Sequence, residues 1–187
     1  MLSLFKGETA IAIAPGARRP ALVVIVRTGN EDRTRTALAE LEAPLAQPFP
    51  PPASGRGQAP VFTDQQVDGI TAHQLALAPG LEFDYAVFDG KVVVASSLAA
   101  IAAVRDHARS LADDNRYQAT VGGRPATVTS LLFLDFDQLL SLGEQTGLTR
   151  SARYRALRAD LQRIRAIGLR SSSGEADSTA ELFLQIS

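Results

Sequence analysis

Phe83-Asp84-Tyr85-Ala86-Val87-Phe88-Asp89-Gly90-Lys91-Val92-Val93-Val94-Ala95-Ser96 is the stretch that decides the fold. Two strand-like runs, 83–88 and 91–96, meet at Asp89-Gly90. Asp-Gly between such runs signals a hairpin, because the two-residue type I′ turn needs positive φ at both central positions. Asp68-Gly69 repeats the device between 61–67 and 70–77. Strands joined by two-residue turns run antiparallel. The pattern therefore points to an α+β chain and away from a nucleotide-binding parallel sheet.

Working outward, 8–14 alternates isoleucine with small residues, as a half-buried strand does, and Pro15-Gly16 ends it. Ala21 to Val26 is apolar on both faces and reads as a central strand. Asn30 caps a helix over 31–43, with Pro44 following. Residues 44–60 hold six of the ten prolines and read as a surface loop. Within it, Pro48 to Pro51 fits a PxxP ligand only weakly. Ser97 caps a helix over 98–110. Asp113 or Asp114 caps a short helix over 115–121, which stops at Gly122-Gly123. A buried strand covers 127–134, and Asp137 begins the next helix. Tyr154, Leu157, Leu161 and Ile164 are spaced for an amphipathic helix over 149–166, closed by Gly168. Two last strands, 167–173 and 179–186, are joined by residues 174–177. The expectation is a single α+β domain over 1–187. It has a largely antiparallel sheet of about seven to nine strands, with three to four helices packed on it. The order β-β-α occurs at 8–43 and again at 83–110, as in a degenerate repeat.

The composition bounds the chemistry. The chain has 187 residues, 45% hydrophobic and 21% charged, with a formal charge of -1. A near-neutral chain is no general nucleic-acid binder. It has no cysteine, which removes disulfides, zinc-thiolate sites, iron–sulfur clusters and thiol catalysis. No run approaches the roughly 20 apolar residues of a membrane-spanning helix. The chain enters core-like sequence almost at once, as expected of a piece cut from a longer protein with Met1 added for expression.

Reactive constellations are scarce. His73 and His107 are the two histidines, and neither has a second ligand at metal spacing. There is no Gly-x-Ser-x-Gly elbow, Walker sequence or Gly-x-Gly-x-x-Gly. Gly55-Arg56-Gly57 lies in the proline-rich loop without a following helix to aim its amides. Asp135-Phe136-Asp137 is the best carboxylate pair. In extended chain both carboxylates face one side, about 7 Å apart at Cα, a spacing fit for a divalent cation. The simpler reading makes Asp137 a cap for a helix starting at Gln138 and leaves Asp135 in solvent at the strand end. Asp113-Asp114-Asn115 is likewise a helix cap, since the rest of a calcium loop is missing. Arg150, Arg153, Arg155, Arg158, Arg163, Arg165 and Arg170 are opposed locally by Asp160 alone. That segment could meet an anionic lipid surface or an acidic partner, with Arg150, Arg153, Arg155 and Arg158 as the candidate contacts. A solvated face is the ordinary alternative. The arginines lack interleaved aromatics, which weakens nucleic acid further.

Two stretches carry a family resemblance. Ser110-Leu111-Ala112-Asp113-Asp114-Asn115-Arg116-Tyr117-Gln118 follows an alanine-rich helix introduced by Lys91-Val92-Val93-Val94-Ala95-Ser96-Ser97. Later, Leu131-Leu132-Phe133-Leu134-Asp135 precedes a helix, and Ile164 to Leu169 leads into a Ser/Gly-rich hairpin. This succession resembles the bacterial family called domain of unknown function 3352, common in high-GC Gram-positive bacteria, over about residues 8–187. The resemblance implies an N-terminal membrane anchor in the parent protein and an extracytoplasmic body. It supplies no cofactor and no catalytic residue.

The functional expectation is a non-catalytic extracytoplasmic binding or structural domain at the cell envelope, with an envelope protein or an anionic lipid surface as partner. The alternatives are a carrier of lipid or small hydrophobes and a metal-dependent enzyme using Asp135 and Asp137.

Overall fold

The computed structural model describes residues 8–15, 19–49, 59–78, 81–106, 110–122, 128–173 and 177–186. Among these residues are nine strands and five α-helices. The strands lie in two antiparallel sheets, where the sequence suggests one. The chain divides into two compact units, Met1–Ala108 and Arg109–Ser187. His107, the Gly55-Arg56-Gly57 segment and Pro51 of the PxxP reading lie outside the described residues.

The first unit holds β1 (Thr9–Ala14), β2 (Ala21–Arg27), α1 (Glu31–Ala46), β3 (Phe62–Val67), β4 (Ile70–Ala78), β5 (Leu81–Phe88), β6 (Lys91–Ala95) and α2 (Leu98–Asp106). The sheet order is β1-β2-β6-β5-β4-β3. Both Asp-Gly turns form: Asp68 and Asp89 stand at φ 47 and 49, with Gly69 and Gly90 at 79 and 68. The β-β-α order occurs as β1-β2-α1 and as β5-β6-α2, and β2 and β6 are antiparallel neighbours.

Alternation along each strand gives this sheet two different faces. Ala72, Ala86, Phe88, Val93 and Ala95 turn to one side and pack with Ala100 and Ile101 of α2. Val23, Ile25, Val67 and Ile70 border them. Tyr85 and His73 turn to the other side, where Glu42 of α1 meets both. Asn30 caps α1 through Arg33 N. Pro44 lies inside α1 and does not follow it. In the last turn its missing N–H leaves only the carbonyl of Glu40 without a helical donor, and both residues are exposed.

The second unit holds α3 (Asn115–Val121), β7 (Val128–Asp135), α4 (Phe136–Gln145), α5 (Ala152–Leu161), β8 (Ile164–Ser173) and β9 (Ser178–Ile186), with β8 central in its sheet. The amphipathic run over 149–166 does not form one helix. Leu148–Arg150 is a 3-10 turn, α5 ends at Leu161, and Ile164 opens β8. From Ile164 onward the chain is held by ladder hydrogen bonds to β7 and β9, and that tertiary pairing overrides the helical spacing. Gly168 accordingly sits in mid-strand and closes no helix. A Cβ there would stand 3.0 Å from Val121 Cγ2 and 3.1 Å from Thr120 Cγ2, so the missing side chain lets α3 lie close on the sheet.

Gly168→Val should lower the unfolding free energy by about 1–3 kcal/mol in urea denaturation, because α3 must move off the sheet. Gly29→Ala, at a glycine with nothing within 4 Å of its ideal Cβ, should change it by less than about 0.5 kcal/mol.

Candidate functional site

Asp135 and Asp137, the pair best suited by sequence to hold a cation, hold an arginine of the chain. Asp114 caps α3 by accepting from the backbone of Arg116 and Tyr117, both at 2.9 Å. This places Arg116 in the first turn of α3, facing the end of β7. Its Nη1 donates to both oxygens of Asp135, at 2.9 and 3.0 Å. Its Nη2 lies 2.7 Å from Asp137 Oδ2, and Arg165 Nη1 approaches the same oxygen at 3.6 Å. Burial lowers the basicity of Arg116, but the charges and hydrogen bonds of Asp135 and Asp137 outweigh it and its pKa is raised. Asp135, not Asp137, caps α4, accepting from Gln138 N at 3.1 Å. It is the last strand residue, so its side chain reaches back to the first free amides of the helix. Asp135 is therefore not left in solvent: its side chain is 13% exposed.

Sequence reading gave Arg116 no role. The available signal was its place in one of the two family-like stretches, while Asp135 ends the other. The ion pair joins those stretches, and Tyr117 packs edge-on to Phe133 at 5.3 Å beside it. Among the described residues no group of three or more His, Asp or Glu side chains is arranged to hold a metal ion.

A second polar cluster lies in the first unit. His73 Nδ1 stands 3.1 Å from Glu42 Oε1 and 3.0 Å from Asp64 Oδ1. Tyr85 donates its hydroxyl to the same Glu42 oxygen at 2.6 Å and stacks on His73, with ring centroids 4.6 Å apart. Burial, together with the hydrogen bond to Glu42, pushes the Tyr85 phenol far above its usual range. A phenol so held stays protonated and serves as a donor, not as a base. The cluster is a latch between α1, β3, β4 and β5.

Among the described residues, Asp84 is a fully buried side chain whose oxygens accept no hydrogen bond within range. Gln74, its cross-strand neighbour, donates to Glu82 at 3.1 Å. Burial, then the charge of Glu82, pushes the Asp84 carboxyl up to about 6, and the nearby Gln74 amide only partly opposes this. Sequence patterning gave no sign of it, since Asp84 is one polar residue in an apolar hairpin.

The four candidate partner-binding arginines separate. Arg158 Nε donates to Glu144 Oε1 at 2.9 Å, and Tyr154 donates to the same oxygen at 2.6 Å. Arg150, Arg153 and Arg155 are exposed and make no ion pair with the described residues. Arg170, further along, is engaged by Glu181 and lies over the Phe183 ring at 5.1 Å.

Among the exposed large apolar side chains, two groups lie together on sheets. Ile11, Ile13 and Leu22 form an exposed strip at the β1 edge of the first sheet. In the second sheet Leu132, Leu169, Leu182, Leu184 and Ile186 are all exposed. By strand alternation they share the face opposite α3.

A family model, the protein of unknown function DUF3352, matches residues 1–186. The chain belongs to this family. No curated protein and no solved structure matches it.

Replacing Arg116 by methionine leaves two carboxylates facing each other. The second unit should lose about 1–3 kcal/mol at neutral pH and recover part of it in Arg116→Met/Asp137→Asn, read by urea denaturation. Asp84 gives a separate test. Its folded-state pKa of about 6 lies above the ordinary 3.8, so the unfolded chain ionises first as pH rises. The stabilisation is complete below pH 3.8 and is lost as pH rises through 6, by about 3 kcal/mol in all. Unfolding curves for Asp84→Asn across this range should lack that component of the pH slope.

Proposed function

We propose that this chain is a non-catalytic binding or structural module that works outside the cytoplasm, at the cell envelope. What supports the reading is how the chain uses its polar groups. Asp135 and Asp137 close on Arg116, and Tyr85, His73 and Glu42 close on one another. Catalytic centres instead leave their acids, bases and nucleophiles facing a space that a substrate enters. Aliphatic side chains are uncovered on both sheets, as on surfaces that meet a partner. The family resemblance supports the extracytoplasmic placement, since it implies a membrane-anchored parent with its body outside the membrane. Among the described residues no helix is long and apolar enough to cross a membrane. Arg150, Arg153 and Arg155 add a cationic surface for an acidic envelope protein or anionic lipid headgroups.

Protease added to intact protoplasts of a bacterium that produces the parent protein should remove an epitope within this chain while a cytoplasmic marker survives. An epitope protected until lysis would overturn the placement. Soaking with calcium, magnesium or manganese should produce no heat of binding in calorimetry. A saturable heat abolished by Asp135→Asn would restore the metal-enzyme reading.

A further inference from the structure

We propose that Asp68 is a site of spontaneous isoaspartate formation, and that the fold protects Asp89, in the other Asp-Gly pair, from the same reaction. Neither half depends on where the chain works.

The two Asp-Gly pairs occupy the same kind of turn. Asp68 and Asp89 stand at φ 47 and 49, followed by Gly69 and Gly90 at 79 and 68. The chemistry open to such a pair is intramolecular. The glycine nitrogen attacks the aspartyl Cγ. An N–Cγ bond forms, a Cγ–O bond breaks, and the hydroxyl leaves with the amide proton as water. Water then opens the five-membered imide at either carbonyl. Opening at Cγ restores aspartate. Opening at the main-chain carbonyl leaves the chain running through Cγ, which is isoaspartate. Water is the one co-reactant. Glycine suits the step because no Cβ crowds the attacking nitrogen. The carboxyl and the amide must be free, and the turn must leave its resting conformation to bring them together.

At Asp89-Gly90 each of these is tied down. Arg105 Nη1 donates to Asp89 Oδ2 at 2.9 Å. The Gly90 amide donates to the Glu31 carboxylate of α1, which fixes that peptide plane. The Gly90 carbonyl accepts from Thr28 N at 2.9 Å. The strands that meet here, β5 and β6, are paired on both sides, with β4 and β2.

Asp68-Gly69 has none of these ties. Both residues are exposed, and nothing lies within 4 Å of an ideal Cβ at Gly69. Among the described residues, neither the Asp68 carboxylate nor the Gly69 amide has a partner outside the turn. The nearby bond from Gln66 Nε2 to Thr71 Oγ1, at 3.0 Å, spans the turn without touching either residue. β3 is the outer strand of its sheet, paired with β4 on one side only, and such segments open locally at lower cost than central ones. Conversion adds a backbone methylene to a two-residue turn, so it loosens the element that sets the β3-β4 register.

The whole chain should be warmed at neutral pH, sampled over weeks, and digested with a protease that cuts before aspartate but not before isoaspartate. Mass spectrometry should show cleavage before residue 68 lost at least about fivefold faster than before residue 89. In urea the two sites should react at similar rates. Glu31→Ala/Arg105→Met should raise the rate at residue 89 at least about fivefold and leave that at residue 68 unchanged, with circular dichroism reporting that the fold is kept. Equal native rates would overturn the proposal, as would faster reaction at Asp89, which would make Glu31 a base for the Gly90 amide. So would an intact Asp68 over the time in which the urea-treated chain reacts. A rate ratio as large in urea as in the native chain would assign the difference to the flanking residues and remove the protection by the fold.

Discussion

Arg116 is the constraint on which the second unit depends. Its guanidinium ties the first turn of α3 to the last residue of β7 and the first turn of α4. The same Asp135 carboxylate that accepts from Arg116 also caps α4, and Asp114 caps α3 directly before Arg116. Negative charge at a helix N-terminus is favourable, while an arginine in the first turn is not. The two aspartates reverse that local penalty and leave the cluster near neutrality. A divalent cation at Asp135 and Asp137 would have to displace a charge already satisfied by good hydrogen-bond geometry. The strongest chemical motif in the sequence is thereby accounted for as architecture.

The first unit joins its layers differently on its two faces. On the α1 side the contact is polar, with Glu42 receiving Tyr85 and facing His73. Arg35 extends this side by donating to the carbonyl of Val87 at 2.9 Å. On the α2 side the contact is aliphatic and dry, with Ile101, Ala72 and Val93 wholly buried. Asp84, on the sheet side that carries Ala86 and Phe88, is the exception. Its oxygens accept no hydrogen bond from the described residues, and the nearby Gln74 amide only partly offsets its burial. A buried carboxyl without donors favours its neutral form, so the unit holds a group whose protonation is linked to folding.

Legibility in the sequence followed the range of the interaction. Asp68-Gly69 and Asp89-Gly90 were readable because a type I′ turn is specified by two residues, and Asn30 and Asp114 because a cap acts over three. The spacing of Ile164 from Leu157 and Leu161 suits a helix, while its pairing with Ile186 is decided twenty-two residues later. Asp135 and Asp137 exchanged roles because strand and helix abut without a loop, so the strand's last residue is also the cap. Gly168 looked like a helix stop and is a point of close approach, visible only once α3 is placed above it. Arg116 and Asp84 were beyond reach for opposite reasons. The first depends on a partner nineteen residues away, and the second on accepting no hydrogen bond from the described residues.

The alternation of Leu182, Leu184 and Ile186 was legible as a strand, but alternation records only that one face is apolar and not what covers it. Within the second unit α3 supplies a layer to one side of β8, through Gly168 and the Arg170 contact with the carbonyl of Val121. Residues that merely escaped selection for polarity would be scattered, as single exposed aliphatics are on most proteins. Here they stand in register across three strands and exclude charge from both ranks. That order is the pattern of an inner sheet face, in which facing side chains interdigitate. Alternation thus fixes which face of the β7-β8-β9 sheet is apolar, while α3 lies on the other at Gly168.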